Sequence, residues 1–129
     1  MIEIRYADRS GAEISGTCDD LQRVRQQIVK FLHADTNSLI IEALTDADPS
    51  PYDLMIGNLL IKKGQGPTNV SLKQKKILEV SGAVDNLEAF TSFFEFGTDT
   101  ASGEHRHYEY YEGNEWIDKN SEPVVIAVK

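Results

Sequence analysis

Cysteine occurs once, at Cys18, so no disulfide can form within the chain. A lone thiol suits a reducing compartment better than an oxidising one. Basic residues are scarce: 13 Lys and Arg stand against 21 Asp and Glu, a net charge of -8. Nucleic acid recognition needs a basic footprint, so nucleic acid is not an expected partner. Long apolar runs are missing too. The longest, Ser38–Leu44 and Leu54–Ile61, are strand-length, far short of the roughly 20 residues that span a bilayer. Met1 is soon followed by Glu3, Arg5 and Asp8, not by the basic start and apolar block of a signal peptide. These absences together imply a cytoplasmic protein with no membrane partner. There is no nucleophile elbow, no Gly-rich phosphate loop and no His-Glu-x-x-His, so no catalytic residue, cofactor or enzymatic activity is expected.

What is present suffices for one folded domain over residues 1–129. Hydrophobic content is 40%, and a chain of this length buries a core without disulfides or a structural metal. The chain also echoes itself. Glu13-Ile14-Ser15-Gly16-Thr17-Cys18-Asp19-Asp20-Leu21 recurs 66 positions later as Glu79-Val80-Ser81-Gly82-Ala83-Val84-Asp85-Asn86-Leu87. In the same register Ile2–Tyr6 falls opposite Thr68–Leu72, and Leu59-Leu60-Ile61 opposite Val125-Ile126-Ala127. The expectation is a duplicated strand-strand-helix-strand-strand unit, about 1–63 and 67–129, joined at Lys63–Pro67.

Alternation in Ile2–Tyr6 and Ala12–Ser15, interrupted by Asp8-Arg9-Ser10-Gly11, predicts a hairpin. Leu21, Val24, Ile28, Phe31 and Leu32 make one helical stripe, and Leu87, Phe90 and Phe94 make a second. Asp19 with Gln22, and Asp85 with Glu88, have capping-box spacing. The predicted architecture is α+β: a mainly antiparallel sheet of about eight strands, two helices on one face, and pseudo-two-fold symmetry.

The halves differ at one place. Where the first has Ser38-Leu39-Ile40-Ile41-Glu42-Ala43, the second has Glu104-His105-Arg106-His107-Tyr108-Glu109. On a strand, His105, His107 and Glu109 share a face. They suggest a metal or acid/base site, but His105 and Glu109 lie about 13 Å apart along a strand, so no metal is expected. The richer feature is the mixture of acids and aromatics that follows. His105, His107, Glu109, Tyr110, Tyr111, Glu112, Glu115 and Trp116 have the composition of aromatic anchors inside a charged rim, and are the candidate partner-binding residues. Their acids would steer a basic partner. A small metal-binding protein or enzyme using His105, His107 and Glu109 is one alternative. A structural homodimer through the same strand edge is another.

The run His105-Arg106-His107-Tyr108-Glu109-Tyr110-Tyr111-Glu112-Gly113, with Ser121-Glu122-Pro123 and the aliphatic strand after it, resembles the C-terminal signature of the Immunity protein 32 family. The matching positions are His105, His107, Glu109, Tyr110, Tyr111, Gly113, Ser121 and Pro123. The resemblance implies an antidote in a bacterial polymorphic toxin system, binding a cognate toxin domain stoichiometrically. A basic nuclease is the toxin that the acidic charge would suit. The chain departs from the signature at Asn114-Glu115-Trp116, where histidine and tyrosine are common in the family.

Overall fold

The computed structural model describes residues 1–129. Alternating apolar residues build its first hairpin. β1 (Glu3–Ala7) and β2 (Gly11–Gly16) pair antiparallel, with Ile4 opposite Ile14 and both fully buried. Gly11 turns the chain at φ +79, and a Cβ there would lie 2.3 Å from the Pro123 carbonyl oxygen, so only glycine fits.

α1 (Cys18–Leu32) is capped by Thr17, not by Asp19 as the spacing suggested. The Thr17 hydroxyl accepts from the Asp20 amide, and the Asp20 carboxylate accepts from the Thr17 amide. A hydroxyl and a carboxylate three residues apart satisfy two otherwise orphaned donors, which Asp19 and Gln22 do not do here. Leu21, Val24, Ile28, Phe31 and Leu32 form its buried stripe, as predicted.

β3 (Ser38–Glu42), β4 (Leu54–Met55), β5 (Asn58–Lys63), β6 (Asn69–Lys73) and β7 (Ile77–Gly82) follow. α2 (Val84–Ser92) starts after Ala83, which has no side chain to cap with. Asp85 sits inside the first turn, where a carboxylate meets the positive end of the helix dipole instead of capping it. β8 (His105–Tyr108) and β9 (Val124–Val128) complete the chain order.

The fold is α+β with two helices and nine strands, but the strands form two mixed sheets where one was expected. The five-stranded sheet runs β4-β1-β2-β9-β8, and the four-stranded sheet runs β3-β5-β7-β6. Consecutive strands pair antiparallel in β1–β2, β6–β7 and β8–β9, and β1–β4 and β3–β5 are antiparallel pairs between strands that are not consecutive. The sheets are completed by two parallel pairings, β2 with β9 and β5 with β7. Local alternation identifies a strand and its faces but carries no information about such distant partners, which is why one sheet and two could not be told apart.

The two inner faces close one core. Ile4, Tyr6, Ile14, Val124 and Ile126 from one sheet join Leu59, Ile61, Val70, Leu78 and Val80 from the other. With the helix stripes they make a cluster of 27 buried residues. α1 touches both β2 and β3, α2 touches β7, and the helices lie against each other. No helix is long and apolar enough to cross a membrane.

Candidate functional site

β8 is the outer strand of the five-stranded sheet and pairs only with β9. Its two faces carry different residues. Tyr108 points inward and is fully buried, whereas His105 and His107 are exposed on the opposite face. Their rings are 5.0 Å apart, centre to centre, at 77°. His105 Nδ1 lies 3.1 Å from the Gly103 carbonyl oxygen. Because a carbonyl only accepts, that nitrogen carries a proton, and in the neutral ring Nε2 keeps its lone pair. Arg106 extends the other way. Its guanidinium stacks over the Phe96 ring at 4.6 Å and donates to the Ser92 carbonyl, tying the strand to the end of α2.

The histidines overlook a groove of about 430 Å³ on the outer face of the sheet. Strand register builds its floor in rows. His107 is opposite Val125, Val125 is beside Glu13, and Glu13 is opposite Arg5. The next row is His105, Ala127, Ser15 and Glu3. Glu3 Oε1 accepts from Lys129 Nζ at 2.7 Å and from Arg5 Nη1 at 3.0 Å. The Lys129 ammonium, seconded by Arg5 and opposed by burial, holds the Glu3 carboxyl below its ordinary range. Ser15 is only 4% exposed, and its hydroxyl has no hydrogen-bond partner. Glu13 makes no ion pair.

Beyond β8 the chain leaves the sheet, so Glu109 does not continue the histidine face. Gly113 turns at φ +92. Asn114, nearly buried, accepts the Trp116 and Ile117 amides on its Oδ1. The loop then runs along the free edge of β6. The Thr68 amide donates to the Trp116 carbonyl, and the Asp118 amide donates to the Thr68 carbonyl. The Val70 amide donates to Ser121 Oγ at 2.8 Å, and the Glu122 amide donates to the Val70 carbonyl. Tyr6 Oη adds a bond to Glu122 Oε1 at 2.9 Å. Backbone groups that a bare strand edge would leave open are thereby paired.

No family model, curated protein or solved structure matches this chain. Its site is therefore described by its own geometry.

The structure separates the eight candidate residues into three groups. His105 and His107 stand together over the groove. Glu109, Tyr110, Tyr111, Glu112 and Glu115 are exposed on the loop, Tyr110 at 37% and Tyr111 at 61%. Trp116 turns inward instead. Its indole packs against the rings of Tyr108 and Phe93, at 6.1 and 6.4 Å between centres. Arg5, Glu13, Ser15 and Lys129 enter the site only through strand pairing. Alternation already put Glu13 and Ser15 on one face of β2, but nothing local linked that face to the histidines.

Close to Trp116, three buried polar atoms have no partner: Tyr108 Oη, Thr68 Oγ1 and Asn114 Nδ2. Burial pushes the Tyr108 phenol up to about 12, with the nearby Thr68 hydroxyl acting weakly in the opposite direction. Neither hydroxyl completes hydrogen-bonding geometry with the other.

Proposed function

We propose that this chain is a stoichiometric binding protein whose Glu109–Glu115 loop docks on a basic protein surface. In the form implied by its resemblance to Immunity protein 32, it neutralises a cognate toxin domain in the bacterial cytoplasm. One observation carries the reading: three exposed glutamates and two exposed tyrosines are displayed on the stretch that links β8 to the Trp116–Glu122 segment, which is hydrogen-bonded along β6. Anchoring this stretch at both ends, in β8 and along β6, lowers the ordering cost of binding. Tyrosines supply apolar contact area, and the acids supply steering. The net charge of -8 adds a long-range field of the same sign.

The test is co-expression with the toxic domain of the adjacent reading frame in a bacterial host. Rescue through a one-to-one complex is expected. Tyr111→Ala and Glu112→Lys should each weaken that complex, and added salt should weaken it further. A toxic domain neither bound nor rescued would remove the immunity reading. A tight complex indifferent to both substitutions and to salt would move the interface off this loop.

The duplicated unit belongs with this reading as an inference about origin, and three features support it. Glu3 opposite Ser15 in the first hairpin has Asn69 opposite Ser81 as its counterpart in the second. Leu39 opposite Ile61 corresponds in the same way to His105 opposite Ala127. Each sheet also joins the hairpin of one unit to the last strands of the other. The parallel pairs depart by one residue, since Ala12 neighbours Val124 whereas Leu78 neighbours Leu59 rather than Asn58. On this view a pseudo-two-fold relates the units, and β8 is the copy of β3 that took on a binding role.

A further inference from the structure

Two imidazoles on alternate positions of one strand are candidates to share an ion. A transition metal held about 2.1 Å from each ligating nitrogen lies roughly 3.2 Å from each ring centre, so tetrahedral or square-planar angles put the two centres about 4.5 to 5.2 Å apart. The rings of His105 and His107 are 5.0 Å apart. A second observation points the same way. Metal-binding histidines usually donate their other ring N–H to a carbonyl or carboxylate, which fixes the tautomer and the ring. His105 makes that bond to Gly103 and leaves Nε2 free. The His107 ring makes no hydrogen bond, so it can turn to bring a nitrogen to the same ion.

We propose that His105 and His107 bind a divalent transition-metal ion over the outer face of the five-stranded sheet. No group of three or more His, Cys, Asp or Glu side chains is disposed around one point anywhere in the chain. The protein therefore supplies two nitrogens, and the remaining positions open onto the groove. There they are filled by water or by a small oxygen donor. Glu109, outside the strand, takes no part. Electrostatics permit the cation. Arg5 and Lys129 are both drawn onto the Glu3 carboxylate, the Glu13 carboxylate in the His107 row is unpaired, and the chain as a whole is acidic. Two imidazoles with water select borderline ions, with affinity rising from Co²⁺ through Ni²⁺ to Cu²⁺, and Mg²⁺ excluded. This inference does not depend on the loop binding a protein.

The experiment is calorimetric titration of the full chain with NiCl₂, CuCl₂ and MgCl₂, followed by imidazole NMR with Ni²⁺. One-to-one binding of Cu²⁺ and Ni²⁺ is expected, with Cu²⁺ the tighter and Mg²⁺ silent. Paramagnetic broadening should centre on His105 and His107 and spare His33. His107→Ala removes a ligand, so its loss should exceed the roughly 10- to 100-fold that removing an outer partner of a ligand costs. Both histidines are exposed, so the variant is expected to fold, and an unchanged circular dichroism melt verifies this. His33→Ala should bind like the parent. Equal affinity in His107→Ala, broadening centred on His33, or no Ni²⁺ binding would overturn the proposal.

Discussion

Replacing Trp116 with alanine tests which way the acidic-aromatic segment faces. Composition alone casts this tryptophan as an interface anchor, and its removal would then weaken binding and spare the fold. The structure has its indole against Tyr108 and Phe93, at the margin of the main core. Full truncation of a buried aromatic costs about 3 to 5 kcal/mol. Trp116 is at least about two-thirds buried, which scales the expected loss to about 2 to 3 kcal/mol. At about 4 °C per kcal/mol for a domain of this size, the Tm should fall by roughly 8 to 12 °C. Trp116 is the chain's only tryptophan, so unfolding must be followed by far-ultraviolet circular dichroism in urea, not by indole fluorescence. Tyr111→Ala is the paired control. At 61% exposure it should stay within about 0.5 kcal/mol of the parent. If Trp116→Ala matches that control, the packing argument is wrong and the indole is an outward anchor after all.

Two further outcomes follow from buried polar groups. Tyr108→Phe removes a hydroxyl with no partner in a fully buried ring, so stability measured by urea titration should rise by about 1 kcal/mol. A loss of similar size would reveal a bonded partner, such as a water held between Tyr108, Thr68 and Asn114. Glu3 gives a pH dependence. Its folded pKa lies below the ordinary 4.5, chiefly through the Lys129 hydrogen bond. Its contribution is therefore complete above the unfolded value and fades as pH falls below about 4.5 and through the lowered folded value. Thermal melts through that window should lose less on acidification in Glu3→Gln than in the parent; identical slopes would exclude Glu3 as a source.

The parts legible in the sequence were those governed by near neighbours. Both helix stripes and the first hairpin rest on periodicity. The cap at Thr17 was also local, but two overlapping polar residues, Asp19 and Asp20, offered competing registers. The division into two sheets was different in kind. It depends on β2 choosing β9, and β5 choosing β7, across long stretches of chain whose alternation would suit either arrangement. The same limit hid half of the groove, because Glu13 and Ser15 meet the histidine strand only through Val125 and Ala127. The facing of Trp116 was not legible, because tyrosine and tryptophan in acidic company look alike whether the ring turns out or in. The fixed backbone from Asn114 to Asp118 decides it.

The parallel pairing of β2 with β9 also sets the order of events during synthesis. β9 is the last strand in the chain, yet it lies in the interior of its sheet, between β2 and β8. At about 5 to 20 residues per second, the roughly 110 residues that separate β2 from the end of β9 take about 6 to 22 s to make. Through that interval β2 carries an open backbone edge, and β8, once made, has no neighbour until β9 follows it. The five-stranded sheet can therefore close only as translation reaches its last strand, and the nascent chain must be kept from pairing with other edges until then.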